Sequence, residues 1–136
     1  ASDVTDAINA GAQFGVSPGS TDDILETCEQ KKLPILPGAA TSSEIMKLSN
    51  LGFSVQKFFP AEAAGGQSAL KAIGGPLPHV KFCPTGGITY QNAKSYLQLQ
   101  NTLCVGGSWV APQNLIENKD WHGITNLAKA ASEILN

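Results

Sequence analysis

Short apolar runs that each end at proline or glycine divide this chain, and their spacing limits the possible folds more than any other feature. The runs cover residues 14–17, 33–36, 54–59, 80–83 and 103–105. Their ends lie 19 to 24 residues apart, which is room for one strand, one helix and two short loops. The spacing therefore predicts alternating strands and helices, with parallel strands joined by right-handed crossovers.

The intervals between these runs carry signals typical of helices. Thr41-Ser42-Ser43-Glu44 has the form of a capping box, and Thr89 can cap the helix that follows it. Further apolar stripes predict helices around Val4, Leu25, Leu70 and Ile124. The chain opens on a helix with no strand before it, as if in the middle of a strand–helix repeat.

Two architectures fit this alternation. Five parallel strands can form a small, open, doubly wound sheet of the flavodoxin type. They can also be part of a (β/α)8 TIM barrel whose first three strands lie outside the chain. The pattern alone leaves both open, and in either case residues 1–136 are expected to be one domain.

Composition excludes several classes of function. The net charge of −2 gives no general attraction to nucleic acid or to an anionic membrane, and no segment resembles a signal peptide or a bilayer span. Cys28, Cys83 and Cys104 are odd in number and lack a CxxC spacing, which favours buried free thiols in a reduced, cytoplasmic setting. His79 and His122 have no nearby residues in a metal-ligand pattern.

Lys57 is the strongest candidate for chemistry. Side chains alternate along a strand, so Lys57 shares a face with Val55 and Phe59. Apolar surroundings disfavour the ammonium form, and a neutral lysine amine attacks ketones to form a Schiff base. A lysine that extends its ammonium to solvent from the end of the strand is the alternative. Glu62 is either an acid or base partner of this lysine or an exposed loop residue.

Two glycine pairs end the last two predicted strands, at Gly86-Gly87 and Gly106-Gly107. In both candidate architectures ligands bind at the carboxyl ends of the strands. Glycine lets backbone N–H groups approach an anion closely near a helix N-terminus, so the pairs predict a site for a phosphate-bearing substrate. Plain tight turns are the alternative interpretation.

Five motifs in this order resemble the family of 2-keto-3-deoxy-6-phosphogluconate (KDPG) aldolases and 4-hydroxy-2-oxoglutarate aldolases. The resemblance covers essentially the whole chain. The motifs are Ser17-Pro18-Gly19, Pro37-Gly38, the KFFPAE segment at residues 57–62, the FCPTGGI segment at residues 82–88, and CVGGSW at residues 104–109.

The resemblance implies a homotrimeric class I aldolase on a (β/α)8 barrel, of which this chain supplies about five βα units. It implies no metal and no cofactor. The expected reaction cleaves 2-dehydro-3-deoxy-6-phosphogluconate to pyruvate and glyceraldehyde 3-phosphate, and 4-hydroxy-2-oxoglutarate is a second expected substrate. Lys57 matches the family's Schiff-base residue and Phe59 its pyruvate pocket. The residues that match its phosphate end are Thr85, Gly86, Gly87, Gly106, Gly107 and Ser108.

The resemblance also implies segments that this chain does not contain. Family members carry about three further βα segments before the helix at Ser2, which hold a general-base glutamate, an arginine that meets the substrate carboxylate and a Gly-Thr-Val segment. We therefore expect the chain to be part of a longer enzyme. The rival functions are an isomerase or epimerase on a phosphate-binding barrel and a non-catalytic sugar-phosphate-binding fragment. The sequence does not distinguish the gluconate substrate from its galactonate isomer.

Overall fold

The computed structural model describes residues 2–135 and has a mixed α/β fold in which every assigned strand pair is parallel. The strands are β1 (Gly15–Val16), β2 (Ile35–Leu36), β3 (Gly38–Ala39), β4 (Val55–Phe58) and β5 (Lys81–Pro84). The α-helices are α1 (Ser2–Asn9), α2 (Asp22–Gln30), α3 (Ser42–Asn50), α4 (Gly66–Gly74), α5 (Tyr90–Leu97), α6 (Gln113–Glu117) and α7 (Trp121–Ser132). A 3₁₀ helix covers Ser108–Val110. The predicted alternation of strands and helices is confirmed from α1 to α5.

Strand order follows chain order. β1 pairs with β2, and β4 lies between β3 and β5. β2 ends at Leu36, directly before Pro37-Gly38 as predicted, but the sequence did not predict that extended chain resumes at Gly38 as β3. Proline has no N–H to donate, but the Pro37 carbonyl accepts a hydrogen bond from the Lys57 N–H at 2.8 Å. The chain at residues 35–39 therefore pairs with β1 at its start and with β4 at its end.

The predicted strand at residues 103–105 is not formed as a regular strand. Two isolated parallel bridges, Phe82 to Thr102 and Thr85 to Gly106, join this segment to β5 and its end. The Leu103 N–H donates to the Phe82 carbonyl at 3.0 Å and the Gly106 N–H to the Pro84 carbonyl at 2.9 Å. Pro84 lacks the N–H that a continuous ladder would need between these two bonds, so the pairing is interrupted there.

One face of β4 and β5 packs against helices α3, α4 and α5. The fully buried side chains of Phe58 and Phe82 meet edge to face, with ring centroids 6.1 Å apart. Helix residues complete this cluster, among them Ile45, Leu48, Leu70, Ala93 and Tyr96. Burial of this apolar surface is the main force that fixes the helices on the sheet. Because side chains alternate along a strand, Lys57 lies on the opposite face of β4.

Local capping signals are confirmed at two helices. At α3 the Thr41 side chain accepts from the Glu44 N–H while the Glu44 carboxylate accepts from the Thr41 N–H, and Thr89 and Asn92 make the same reciprocal pair at α5.

The expectation of three buried thiols is wrong for Cys104, which is exposed in the irregular segment at residues 103–105. Within residues 2–135, no helix combines the length and apolar character needed to cross a bilayer.

Candidate active site

Lys57 occupies the middle of the three-stranded sheet. Its backbone pairs with Gly38 on one side and with Cys83 on the other. The preceding residue, Gln56, is fully buried toward the helices, where its side-chain amide donates to the carbonyls of Ile45 and Phe53. Lys57 is half-buried and points away from that helical layer. The Lys57 side chain therefore does not extend into the layer of helices.

The Lys57 amine lies against an aromatic ring. Its Nζ atom is 4.5 Å from the centroid of the half-buried Phe59 ring, within the range of a cation–π contact. Within residues 2–135 the nitrogen has no carboxylate within salt-bridge range and no hydrogen-bond acceptor. The Phe59 ring is thus the surface on which the Lys57 amine rests.

The same ring connects the amine to the segment that follows β5. A Cβ atom placed on Gly86 would lie 3.2 Å from two carbon atoms of the Phe59 ring and 3.2 Å from the Pro60 Cα. Gly86 therefore packs closely against the ring on which Lys57 rests. Lys57, Phe59 and Gly86 form one continuous group of contacts at the carboxyl end of the strands.

Residues 85–87, which we call the first glycine turn, form a backbone cup. Gly86 and Gly87 have φ angles of +98° and +79°, a region that favours glycine. Within residues 2–135, the N–H groups of both glycines lack a hydrogen-bond acceptor. Helix α5 begins shortly afterwards at Tyr90. Free N–H groups in a left-handed turn before a helix are a suitable cradle for an anion.

Three hydrogen bonds fix the first glycine turn from outside. The N–H groups of Ala61 and Glu62 donate to the carbonyls of Thr85 and Gly86 at 2.8 and 3.1 Å. From the start of α5, the Asn92 side chain donates to the Gly87 carbonyl at 3.1 Å. Because these bonds use the carbonyls, the N–H groups of Gly86 and Gly87 stay available.

Residues 106–108, the second glycine turn, lie beside the first. The Gly106 bridge to Thr85 brings them together, and a Cβ on Gly106 would lie only 2.7 Å from the Thr85 Oγ1. Gly107 is extended, with φ −158°, and its backbone contacts the Trp109 ring. The two turns differ in backbone geometry, because Gly106 and Gly107 do not have positive φ and only a three-residue 3₁₀ helix follows them.

The structure thus brings the predicted residues into one region. Contacts link Lys57 through Phe59 to Gly86, and the Thr85–Gly106 bridge joins the two glycine turns. One feature was missed from sequence. The hydroxyl of the buried Tyr96 on α5 donates to the Glu62 carboxylate, and these residues are 34 positions apart. The sequence leaves Glu62 as either an acid or base partner of Lys57 or an exposed loop residue. The structure shows Glu62 exposed in the loop after β4, and no local pattern links it to Tyr96.

Comparison with known proteins identifies the family of this chain. A family model described as KDPG and KHG aldolase matches residues 1–127. The chain belongs to this family. The 2-dehydro-3-deoxy-phosphogluconate aldolase of Pseudoalteromonas atlantica is 50% identical over 122 residues, which are 90% of this chain and 57% of that protein. The KHG/KDPG aldolase of Escherichia coli K12 is 46% identical over 130 residues, covering 96% of this chain and 61% of that protein.

Solved structures of the aldolase family superpose closely on this fold. The KDPG aldolase of Legionella pneumophila, with pyruvate captured as a covalent carbinolamine intermediate, matches with a TM-score of 0.91 and 47% identity. That match covers 96% of this chain and 63% of the Legionella chain. The KDPG aldolase of Zymomonas mobilis ATCC 29191 matches with a TM-score of 0.91 and 44% identity, over 98% and 64% of the two chains. This chain therefore spans about three fifths of the length of the aldolases it matches.

Proposed function

We propose that the protein carrying this chain is a class I aldolase. It cleaves 2-dehydro-3-deoxy-6-phosphogluconate to pyruvate and glyceraldehyde 3-phosphate, and it also acts on 4-hydroxy-2-oxoglutarate. The observation that carries the proposal is the Lys57 amine, which rests on the Phe59 ring beside the first glycine turn. The names of the relatives and the covalent pyruvate in the Legionella enzyme support the same chemistry.

The proposed reaction begins at the amine. The Lys57 nitrogen adds to the C2 ketone to give a carbinolamine, and loss of water gives a protonated imine. The C3–C4 bond then breaks, its electron pair moves into the imine to form an enamine, and C4 leaves as the aldehyde after its hydroxyl loses a proton to a general base. The family resemblance assigns this base to a glutamate in the segments that precede the matched region. Protonation at C3 and hydrolysis release pyruvate and restore the amine.

The two glycine turns are the proposed phosphate end of the site. The unpaired N–H groups of Gly86 and Gly87 can donate to phosphate oxygens, and Thr85, Gly106, Gly107 and Ser108 lie on the adjoining backbone. A phosphate held there places the ketone at a fixed distance from Lys57. Such orientation of the reacting atoms is a major contribution to catalysis.

We further propose that residues 1–136 form one domain and supply about five βα units of a (β/α)8 barrel. The strand order supports this, because β1 pairs with the start of the extended stretch at residues 35–39, the end of that stretch pairs with β4, and β4 pairs with β5. A doubly wound sheet of the flavodoxin type has the order 2-1-3-4-5 instead. Homotrimeric assembly stays a prediction that rests on the family resemblance, and a cytoplasmic location stays one that rests on the cysteine pattern.

The test compares two lysines on neighbouring strands in the natural protein at its full length. Lys57→Ala should reduce the rate of pyruvate release by about a thousandfold or more, because the covalent route is lost. Lys81→Ala is the matched control, since the Lys81 amine donates to the Gln100 carbonyl and lies at the start of β5. Equal rates in the two variants would refute the proposed role of Lys57.

A further inference from the structure

The Glu62–Tyr96 pair joins two parts of the chain that surround the first glycine turn. Glu62 lies in the loop after β4, and Tyr96 lies in the last turn of α5 with its side chain fully buried. The Tyr96 hydroxyl donates to one carboxylate oxygen of Glu62. A phenol–carboxylate hydrogen bond is stronger than one between neutral groups, so the pair links the loop firmly to the helix.

Glu62 also supports the first glycine turn directly. Its N–H donates to the Gly86 carbonyl at 3.1 Å. A Cβ atom on Gly87 would lie 2.6 Å from the Glu62 Cγ and 2.7 Å from its Cβ, so the Gly87 backbone rests on the aliphatic part of this side chain. The position of Gly87 therefore depends on where the Glu62 side chain is held.

The start of α4 encloses the pair on another side. A Cβ atom on Gly66 would lie 3.2 Å from the Tyr96 hydroxyl and 3.3 Å from the Glu62 Oε1. Burial and the neighbouring Glu62 hydrogen bond and charge raise the pKa of Tyr96 well above its usual value. The phenol thus remains a hydrogen-bond donor throughout the physiological pH range.

We propose that Glu62 and Tyr96 are positioning residues that hold the first glycine turn in the geometry needed for the substrate phosphate, and so favour phosphorylated over unphosphorylated keto acids. This inference rests on the proposed function. The pair contacts the turn on the side of its carbonyls and of the Gly87 backbone, whereas the amine reaches the turn through the Phe59 ring. Loss of the pair should therefore change recognition of the phosphate more than attack by Lys57.

Tyr96→Phe in the natural protein is the main test, because it removes only the hydroxyl. The KM for 2-dehydro-3-deoxy-6-phosphogluconate should rise about tenfold, in line with loss of a hydrogen bond to a charged group. The KM and kcat for 4-hydroxy-2-oxoglutarate, which has no phosphate, should stay within about twofold of the unmodified enzyme. Tyr90→Phe, on the exposed side of the same helix, is the matched control and should leave the KM and kcat for both substrates unchanged.

Variants of Glu62 test the other half of the pair. Glu62→Ala removes both the acceptor and the support under Gly87, so it should raise the KM for the phosphorylated substrate at least as much as Tyr96→Phe. Glu62→Gln keeps the side-chain stem and an acceptor oxygen, so its KM for the phosphorylated substrate should lie close to that of the unmodified enzyme. If Tyr96→Phe fails to fold, the comparison of Glu62→Ala with Glu62→Gln decides the question.

Two results would overturn the inference. One is an unchanged KM for the phosphorylated substrate in Tyr96→Phe and Glu62→Ala, and the other is an equal loss for both substrates. If the unmodified protein cleaves neither substrate, the proposed function fails. The dissociation constant for inorganic phosphate, measured on the same variants, then tests the role of the pair by itself: it should rise in Tyr96→Phe and not in Tyr90→Phe, and an equal constant in both would refute it.

Discussion

The two glycine turns share a sequence signature but differ in backbone geometry. In the first, Gly86 and Gly87 have positive φ, and hydrogen bonds from the loop after β4 and from α5 fix their carbonyls. In the second, Gly107 is extended, and the glycines allow close contact of the chain with Thr85 and Trp109. Glycine is thus required for its conformation in one turn and for its small size in the other.

This difference suits separate tasks for the two neighbouring strand ends in the proposed site. The first glycine turn presents N–H groups from a fixed cup, while the second brings its backbone close to the first. A substitution in the first turn must change the backbone conformation. A substitution at Gly107 suits the existing backbone conformation, and its main overlap would be with the Trp109 ring, while the Ile88 carbonyl oxygen would lie 3.0 Å from the new methyl.

Among substitutions in the two glycine turns, the largest effect is expected for Gly87→Ala. A positive φ costs an alanine about 1–2 kcal/mol, and the new methyl would also overlap the Glu62 stem. Relief of this strain should turn the Gly86 and Gly87 N–H groups away from the phosphate. The kcat/KM for the phosphorylated substrate should then fall about tenfold or more, a loss of about 1.4 kcal/mol or more of transition-state stabilisation. Gly107→Ala, where φ suits any residue, should lose about threefold or less. Steady-state kinetics with both variants measure this ratio, and equal losses would contradict the distinction between the turns.

A second substitution should rescue only the second turn. The methyl of Gly107→Ala would meet the ring of Trp109, so Trp109→Leu should relieve the overlap and return about 1 kcal/mol of the lost free energy of unfolding. Trp121→Leu, at an exposed position, is the control and should return nothing. Denaturant unfolding of the single and double variants gives the coupling energy. A coupling energy near zero between positions 107 and 109 would exclude overlap with the Trp109 ring as the cause of the stability lost in Gly107→Ala.

Alkaline pH should reduce the stability that the Tyr96 hydroxyl contributes to the fold. The pKa of Tyr96 is raised in the folded protein, while an unfolded tyrosine loses its proton near pH 10. Stability from the neutral phenol is therefore fully present below about pH 10 and is lost as the pH rises toward the folded pKa. In Tyr96→Phe the free energy of unfolding should decline less steeply above pH 10 than in Tyr90→Phe. Parallel slopes for the two variants would show that Tyr96 is not the group responsible.

The smallest effect is expected at a helix end far along the chain from both turns. Hydrogen bonds from the N–H of Ala40 and from Thr41 hold the pKa of Glu44 below its usual range. Glu44→Gln should cost about 0.5–1 kcal/mol of stability near neutral pH, and this difference should disappear as the pH falls through the folded pKa of Glu44. Glu26→Gln, on the exposed side of α2, is the control. A change in the ratio of KM values for the two substrates would show that the helix acts on the site.

Features encoded by local sequence were predictable. The capping boxes at Thr41 and Thr89 depend on residues three positions apart, and the strand of Lys57 follows from its apolar neighbours. The errors arise where a strand depends on its partner. Residues 103–105 have the composition of a strand, but Pro84 on the neighbouring strand lacks the N–H that would complete the ladder.

The arrangement of the site was predictable only in outline. The carboxyl ends of parallel strands meet at one edge, which predicts that Lys57 and the glycine pairs lie together. The Glu62–Tyr96 pair joins a loop to a helix and leaves no local pattern. The difference between the glycine turns depends on φ angles that the shared dipeptide does not specify.

Reduction with borohydride in the presence of pyruvate tests most directly whether Lys57 forms the covalent intermediate. Peptide mass mapping of the natural protein should show the reduced pyruvate adduct on Lys57 and none on Lys81, and prior addition of the phosphorylated substrate should label the same residue. An unmodified Lys57 in a folded sample, or an adduct on another lysine, would contradict the assignment of this amine to catalysis.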